Sequence, residues 1–327
     1  MTPRISVVLP THNRPELLCE ALASIAAQEI DAREVIVVDD ASEPPVDIDA
    51  LRARFGPSVR GVRHQTARGG AAAKNSGIRA ASAPVFSFLD DDDLYGPAYL
   101  QRALAVLDEH ADLDVVFMGV SHFGSRADWA ENAYQKAMAV TLGASPGVEA
   151  APALLRFGPS LFPALLRSVP MAFQRPVVRR NALSAIGEYR DSCLLWDCDW
   201  ALRAALHGRT ALLNEQHYRQ RADGQGSSSR GDRTLDHLLS EAETKDRLLT
   251  QIHRGGDATF LAETRRAAAE VWFTLAYHYS RTGQRRKALS AWATSQRRKF
   301  SLRRYRLLGR LALGTALGLD RRRWTSL

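Results

Sequence analysis

The chain has 327 residues, 45% of them apolar and 24% charged, with a formal net charge of +8. This is the composition of a soluble globular protein and excludes a disordered or collagen-like chain. Three cysteines without a CxxC pair exclude a disulfide framework, and no apolar run is long enough for a signal peptide or a membrane span, so a cytoplasmic protein is expected.

Ile5–Leu9 reads as a first strand, closed by Pro10, Thr11, His12 and Asn13. Pro15 suits the first turn of a helix whose apolar face carries Leu17, Leu18, Ala21, Leu22 and Ile25. Val35–Val38 is a continuous apolar run, as expected of a parallel strand covered on both faces, and it ends in Asp39 and Asp40. Leu51 and Phe55 lie on a short helix, and Val59–Arg63 is a weaker strand. An Ala-rich stretch over 67–82 opens with Gly69 and Gly70 and reads as a loop feeding a helix.

Val85–Leu89 is the fourth strand, and four carboxylates follow it, Asp90 to Asp93. Two unit charges about 4 Å apart repel by roughly 4 kcal/mol at an effective dielectric near 20. Four neighbours therefore need water or a cation, and hard divalent ions take oxygen ligands shared with phosphates. A metal–diphosphate site competes here with a solvated acidic loop. Gly96 and Pro97 then open a helix carrying Tyr99, Leu100, Ala103, Leu104 and Leu107, and Val115–Met118 is another strand. The alternation predicts a parallel α/β sheet with right-handed crossovers. Three polar sets then share the carboxyl edge of one sheet, where such sheets bind ligands.

The segments Leu9–Leu18 (LPTHNRPELL), Val37–Ser42 (VVDDAS), Gly70–Ile78 (GAAAKNSGI) and Phe88–Pro97 (FLDDDDLYGP) occur in this order and spacing. In them the chain resembles the family 2 glycosyltransferases over roughly residues 4–225. The resemblance implies the GT-A fold, a mostly parallel sheet flanked by helices, here followed by a helical C-terminal region. It implies a catalytic domain over residues 1–230, with a nucleotide-sugar half to about 120 and an acceptor half from 121. It also implies a nucleotide-sugar donor, UDP-linked in the usual case, Mn²⁺ or Mg²⁺, and inversion at the anomeric carbon.

Carried over residue by residue, the resemblance places Pro10, Thr11 and Asn13 along the nucleotide, with Arg14 near the phosphates. Asp40, with Asp39 beside it, corresponds to the carboxylate that meets the base, and Lys74 to a basic position near the nucleotide. Asp90, Asp91 and Asp92 correspond to the DxD motif, with Asp92 as metal ligand and Asp90 or Asp91 facing ribose or metal-bound water. Turn and cap chemistry is the competing account of Thr11 and Asn13.

Residues 129–166 carry no motif. Val177–Tyr189 resembles the family's segment before its catalytic acid, and Leu195–Arg203 (LWDCDWALR) follows. The resemblance makes Asp197 the general base. It departs from the family at Trp196, where Glu is usual, which leaves the acceptor class open. An inverting transfer needs one base to take the acceptor proton. Asp199 reads as a helix N-terminal acid. Tyr218–Arg221 and the Gly/Ser run 224–229 resemble the mobile loop after the catalytic helix. Arg221 stands where many relatives carry a metal-contacting His and is suited to neutralising the diphosphate; His217 is the weaker substitute.

From Thr234 the pattern is helical, giving a second region over 231–327. Leu235, Leu238 and Leu239 start one helix. Trp272, Leu275, Ala276 and Tyr279 lie on another, and Ala288, Leu289, Ala291 and Trp292 on a third, with Gly283 as the break. Residues 281–327 hold fourteen Lys/Arg and one acid, Asp320, so this tail carries +13 and residues 1–280 carry −5. The basic charge thus belongs to the tail and gives no reason to expect nucleic-acid binding. Helices from Arg297 onward interleave Phe300, Leu302, Tyr305, Leu307 and Leu308 with cations, which suits either an anionic membrane surface, on the inner face of the cell membrane, or packing within the protein. The acceptor reads only as a hydroxyl on a glycan, a lipid-linked glycan or a small molecule.

Two other functions compete with this reading. A sugar-1-phosphate nucleotidyltransferase would carry a Gly-rich basic loop after the first strand, and Pro10–Asn13 is not one. A catalytically inactive nucleotide-sugar-binding or scaffold protein, acting through its helical tail, is opposed by the intact Asp sets.

Overall fold

The computed structural model describes residues 2–30, 33–224, 233–255 and 258–309. The chain forms two compact units, Met1–Gly231 and Asp232–Leu327. The first begins β1 (Ile5–Thr11), α1 (Pro15–Ala26), β2 (Arg33–Asp39), α2 (Ile48–Phe55), β3 (Val59–Arg63), α3 (Gly70–Ala80) and β4 (Val85–Phe88). It continues with β5 (Leu94–Tyr95), α4 (Tyr99–Glu109), β6 (Val115–Phe123), α5 (Ala127–Ala144), β7 (Val148–Ala151), β8 (Leu154–Phe157) and α6 (Leu161–Leu165). It closes with β9 (Pro176–Arg179), α7 (Leu183–Ile186), α8 (Trp196–His207) and β10 (Thr210–Arg221).

One sheet runs through the unit in the order β3-β2-β1-β4-β9-β6-β10-β8-β7, and β5 pairs with β10. β1 to β4 are mutually parallel, so Thr11, Asp39 and the residues after Phe88 finish at one edge. Ile5, Val7, Val8, Leu9 and Val35 to Val38 are buried, consistent with cover on both faces. α3 lies so close to β1 that a Cβ on Gly77 would stand 2.3 Å from a methyl of Val8. That approach brings Lys74, three residues earlier on α3, towards the sheet edge.

Beyond β4 the sheet is mixed. β9 enters antiparallel to both β4 and β6, and β8 pairs antiparallel with β10, while β6 and β10 are parallel. Tyr218–Arg221, read from sequence as part of a mobile loop, is instead the end of β10 and pairs with Val120–Phe123 of β6. Backbone pairing with β6 along its length, and with β5 at Tyr218 and Arg219, orders this stretch despite its polar side chains. The rest of that run, from residue 225, lies outside the described residues. β10 also carries an irregularity: it advances from Leu213 to Tyr218 while β6 advances only from Met118 to Val120. Gly119 makes room for it, since a Cβ there would meet the Glu215 carbonyl oxygen at 2.6 Å.

At the opposite end of β2, Glu34 is buried and accepts hydrogen bonds from Ser6 Oγ (2.5 Å), Ser82 Oγ (2.9 Å) and the Ala83 amide (3.1 Å). Burial pushes its carboxyl up, but these bonds outweigh burial and hold it below its ordinary value of 4.5. A depressed carboxylate stabilises the fold above its unfolded value, and that stability is lost as pH falls through the folded value. Glu34→Gln should therefore cost about 1–3 kcal/mol at neutral pH, and the difference from the parent should shrink below pH 4.5. Denaturant titration on both sides of that pH measures it; an unchanged difference in acid would refute the account.

The second unit contains α9 (Thr234–Arg254), α10 (Leu261–Arg281) and α11 (Arg285–Arg298), joined at their core by Ala242, Val271, Leu275, Ala276, Tyr279, Ala288 and Ala291. Gly283, at φ +74°, makes the turn between α10 and α11. The basic stretch expected as helices from Arg297 onward is not continuous. α11 stops at Arg298, Lys299 is extended, and a short 3-10 turn over Leu302–Arg304 leads into a further helical stretch at 305–309. Residues from 310 on lie outside the described ones. Among the described residues no helix is long and apolar enough to cross a membrane.

Candidate active site

The carboxyl ends of β1 and β4 meet through hydrogen bonds. Thr11 Oγ donates to Asp91 at 2.8 Å. One nitrogen of Arg14 reaches Asp91 at 2.9 Å and Asp92 at 3.0 Å. Lys74 Nζ, buried, lies 2.7 Å from Asp90. Thr11, Arg14, Asp91 and Asp92 are thus one hydrogen-bonded group, and Lys74 holds the adjacent Asp90.

The four carboxylates diverge, which is how the chain tolerates them. Asp93 turns inward, accepting from the Tyr218 hydroxyl (2.8 Å) and the Arg221 amide (2.8 Å). Arg175, buried, lies 3.3 Å from Asp90 and 3.4 Å from Asp93 and stacks over the Tyr218 ring at 4.7 Å. Burial raises Asp90, but Lys74 and Arg175 outweigh it and hold that carboxyl well below the usual range. Asp91 is pushed up to about 6 because burial exceeds the pull of Arg14 and Thr11. Burial also raises Asp93 despite Arg175.

Lys74 sits among aromatic rings: its Nζ is 4.5 Å from the Trp196 ring centre, 5.7 Å from Phe88 and 6.0 Å from Tyr189. A cation over an aromatic face is attracted by the ring quadrupole. Trp196, the departure noted in sequence, is therefore part of the wall around Lys74.

Asp197 lies in the first turn of α8, half-buried, with one oxygen accepting the Cys198 amide at 2.8 Å. Its negative charge contributes to raising the Arg175 guanidinium and the Tyr189 hydroxyl, and its chain neighbour Trp196 lies over Lys74 Nζ. Asp199 is fully buried between Arg190 and Arg203, the latter at 2.9 Å, so it is a structural ion pair as well as a first-turn acid.

Other sequence candidates brace loops. Asn13, at φ +54°, accepts from the Glu43 amide (2.7 Å), and its own amide donates to Ser42 Oγ (2.9 Å). Pro10 is half-buried, pairs with Val38, and lies beyond the part of β1 that pairs with β4. Asp39 accepts from the Ser42 amide (2.8 Å) and pairs with Arg63. Asp40 accepts from the Arg68 amide (2.8 Å) and the Gly69 amide (2.7 Å) and lies 2.6 Å from His64 Nδ1. These two carboxylates shape the loops after β2 and before α3. Arg221 donates from Nε to the Asp92 carbonyl (2.9 Å) and pairs with Glu20. His217 lies 2.9 Å from Glu215 and does not join the Asp group.

Arg175 was not found from sequence. It is one Arg before Pro176, and the only available signal was the need of four carboxylates for counter-charge.

Residues 6–154 match the family model described as glycosyl transferase family 2. Over residues 6–154 the chain is therefore similar to the family 2 glycosyltransferases. The YwdF protein of Bacillus subtilis, described as an uncharacterized glycosyltransferase, is 32% identical over 117 residues, 35% of this chain and 43% of that protein. The chain spans less than half the length of such curated relatives. Among solved structures, S. aureus TarS 1-349 in complex with UDP-GlcNAc superposes with a TM-score of 0.61 at 19% identity, over 94% of this chain and 84% of that one. The mannosyltransferase PcManGT from Pyrobaculum calidifontis, in complex with GDP-Man and Mn²⁺, gives 0.52 at 22% identity, over 98% and 81%. At these identities the likeness is one of fold, and the sheet is GT-A-like.

Proposed function

We propose that the chain transfers a sugar from a UDP-linked donor to a hydroxyl acceptor, with inversion at the anomeric carbon. One observation carries the reading: Arg14 bridges Asp91 and Asp92 while Thr11 and Lys74 hold Asp91 and Asp90. Residues of three separate sequence motifs thereby lie together at the edge where α/β sheets bind ligands. Nucleotide-sugar complexes of two GT-A-like neighbours support the donor class.

In this reading residues 1–120 hold the donor, 121–230 the acceptor, and 231–327 form a separate helical region. Pro10, Thr11, Asn13, Asp39 and Asp40 define the nucleotide edge through the loops they build. Arg14, Lys74 and Arg221 supply cations for the diphosphate. Among the described residues no three His, Cys, Asp or Glu converge as a preformed metal cluster. Asp92 with Asp90 still fits Mn²⁺ or Mg²⁺, because such ions need only one or two carboxylates when phosphate oxygens complete the shell. A divalent cation held there would stabilise negative charge on the leaving diphosphate. Asp197 takes the proton of the acceptor hydroxyl as its oxygen bonds to the anomeric carbon and the bond to the diphosphate breaks.

A thermal-shift series with UDP and other nucleoside diphosphates, with Mn²⁺ or with chelator, tests the donor site. At ~100 times its dissociation constant a ligand adds about 2.7 kcal/mol of stability. The shift should require Mn²⁺ and disappear in Asp92→Ala. No shift with any nucleotide, from folded protein, would overturn the reading in favour of the scaffold alternative, which also predicts no donor hydrolysis.

A further inference from the structure

The segment after α11 turns an arginine inward and its apolar side chains outward. Arg304 is only 8% exposed. Its guanidinium donates to the Lys299 carbonyl at 2.7 Å and lies 5.7 Å from the Phe273 ring. Leu307 is buried in the helical core. Phe300, Leu302 and Tyr305 are left 63%, 75% and 43% exposed. This reverses the usual partition, in which Arg stays outside and Phe and Leu go inside.

The outward placement is built rather than loose. The Gln296 side chain accepts from the Ser301 amide (2.8 Å) and donates to the Ser301 carbonyl (3.0 Å). Trp292 Nε1 donates to the Arg304 carbonyl at 3.0 Å, and its ring meets that of Tyr305 edge-on at 5.1 Å. The exposed cations Lys299, Arg303 and Arg306 alternate with the three apolar side chains.

We propose that this face docks on an anionic lipid bilayer, with Phe300, Leu302 and Tyr305 entering the acyl boundary and Lys299, Arg303 and Arg306 meeting the headgroups. Charge complementarity selects the partner: residues 281–327 carry fourteen cations and one acid. Leu302, the most exposed of the three, offers nothing for stacking on a nucleic-acid base, whereas an aliphatic side chain among cations suits an interfacial anchor. The proposal is independent of the chemistry assigned to the first unit.

The test is co-sedimentation of the full chain with vesicles of phosphatidylcholine, alone or mixed with phosphatidylglycerol. The chain should pellet only with the mixed vesicles, and less so as salt is raised. Phe300→Ser with Leu302→Ser should weaken binding at least ~10-fold without moving the melting midpoint. Lys299→Gln, Arg303→Gln and Arg306→Gln should each weaken it about fivefold. No pelleting with phosphatidylglycerol, or unchanged pelleting of the double Ser variant, would overturn the proposal. So would capture by poly(U) RNA in preference to the vesicles.

Discussion

Asp197→Asn should bind donor as the parent does and lose transfer by about 10²–10⁴-fold, the range for removing a positioned proton acceptor. α8 carries two acids in its first turn, and their surroundings differ. Asp199 is enclosed and neutralised by Arg190 and Arg203. Asp197 is half-buried, and one of its oxygens is engaged by the amide of Cys198. Of these two acids Asp197 is therefore the one proposed as the base. The amide replacement keeps its shape and removes its basicity. Single-turnover rates at saturating donor, read beside a donor titration, separate the two effects. Asp199→Asn is the control, expected to lower stability, because it leaves the buried Arg203 and the half-buried Arg190 poorly compensated. Full transfer in Asp197→Asn would refute the assignment.

Arg175→Met should cost about 3–5 kcal/mol of stability, as expected when one partner of a buried ion pair is removed. Arg175 serves two carboxylates, Asp90 and Asp93, and covers the Tyr218 ring. Without it Asp93 keeps the Tyr218 hydroxyl and the Arg221 amide but loses its cation. The melting midpoint should fall by roughly 10 °C for a unit of this size. Adding Asp93→Asn should recover part of the loss, since a neutral amide oxygen can still accept from Tyr218. Equal stability of Arg175→Met and the parent would mean that water already compensates this pair.

The parallel half of the sheet was legible because strands buried on both faces appear as apolar runs: Val7 to Leu9 and Val35 to Val38 unbroken, Val85 to Phe88 broken only by Ser87. The acidic ends were legible because nothing in a packed core tolerates Asp90 to Asp93 unpaired. The second half hid itself for equally physical reasons. β7 and β8 have four residues each, and most of their side chains are exposed or half-buried, so they carry little periodicity. β9 lies between two strands far from it in sequence, a pairing no local pattern encodes. At the site, residue type alone did not separate ligand contact from loop bracing. Asn13, Asp39 and Asp40 have the groups that meet a nucleotide, and the same groups tie down turns. Trp196 looked like a lost carboxylate, and in the fold it covers Lys74.

The irregularity in β10 has a consequence for how the first unit can change. Five steps along β10 match two along β6 between Leu213 and Tyr218, which leaves three extra residues in the gap. Before the gap the strand supplies buried Ala211, Leu212 and Leu213; after it, Tyr218 and Arg221 reach Asp93 and Asp92. Because side chains alternate along a strand, deleting one residue in the gap would exchange the faces of everything after it. Arg219 would then turn towards Asp93 in place of Tyr218, with the hydrophobic layer untouched. Chain length at 214–217, more than residue identity there, fixes which groups the strand presents to the carboxylates.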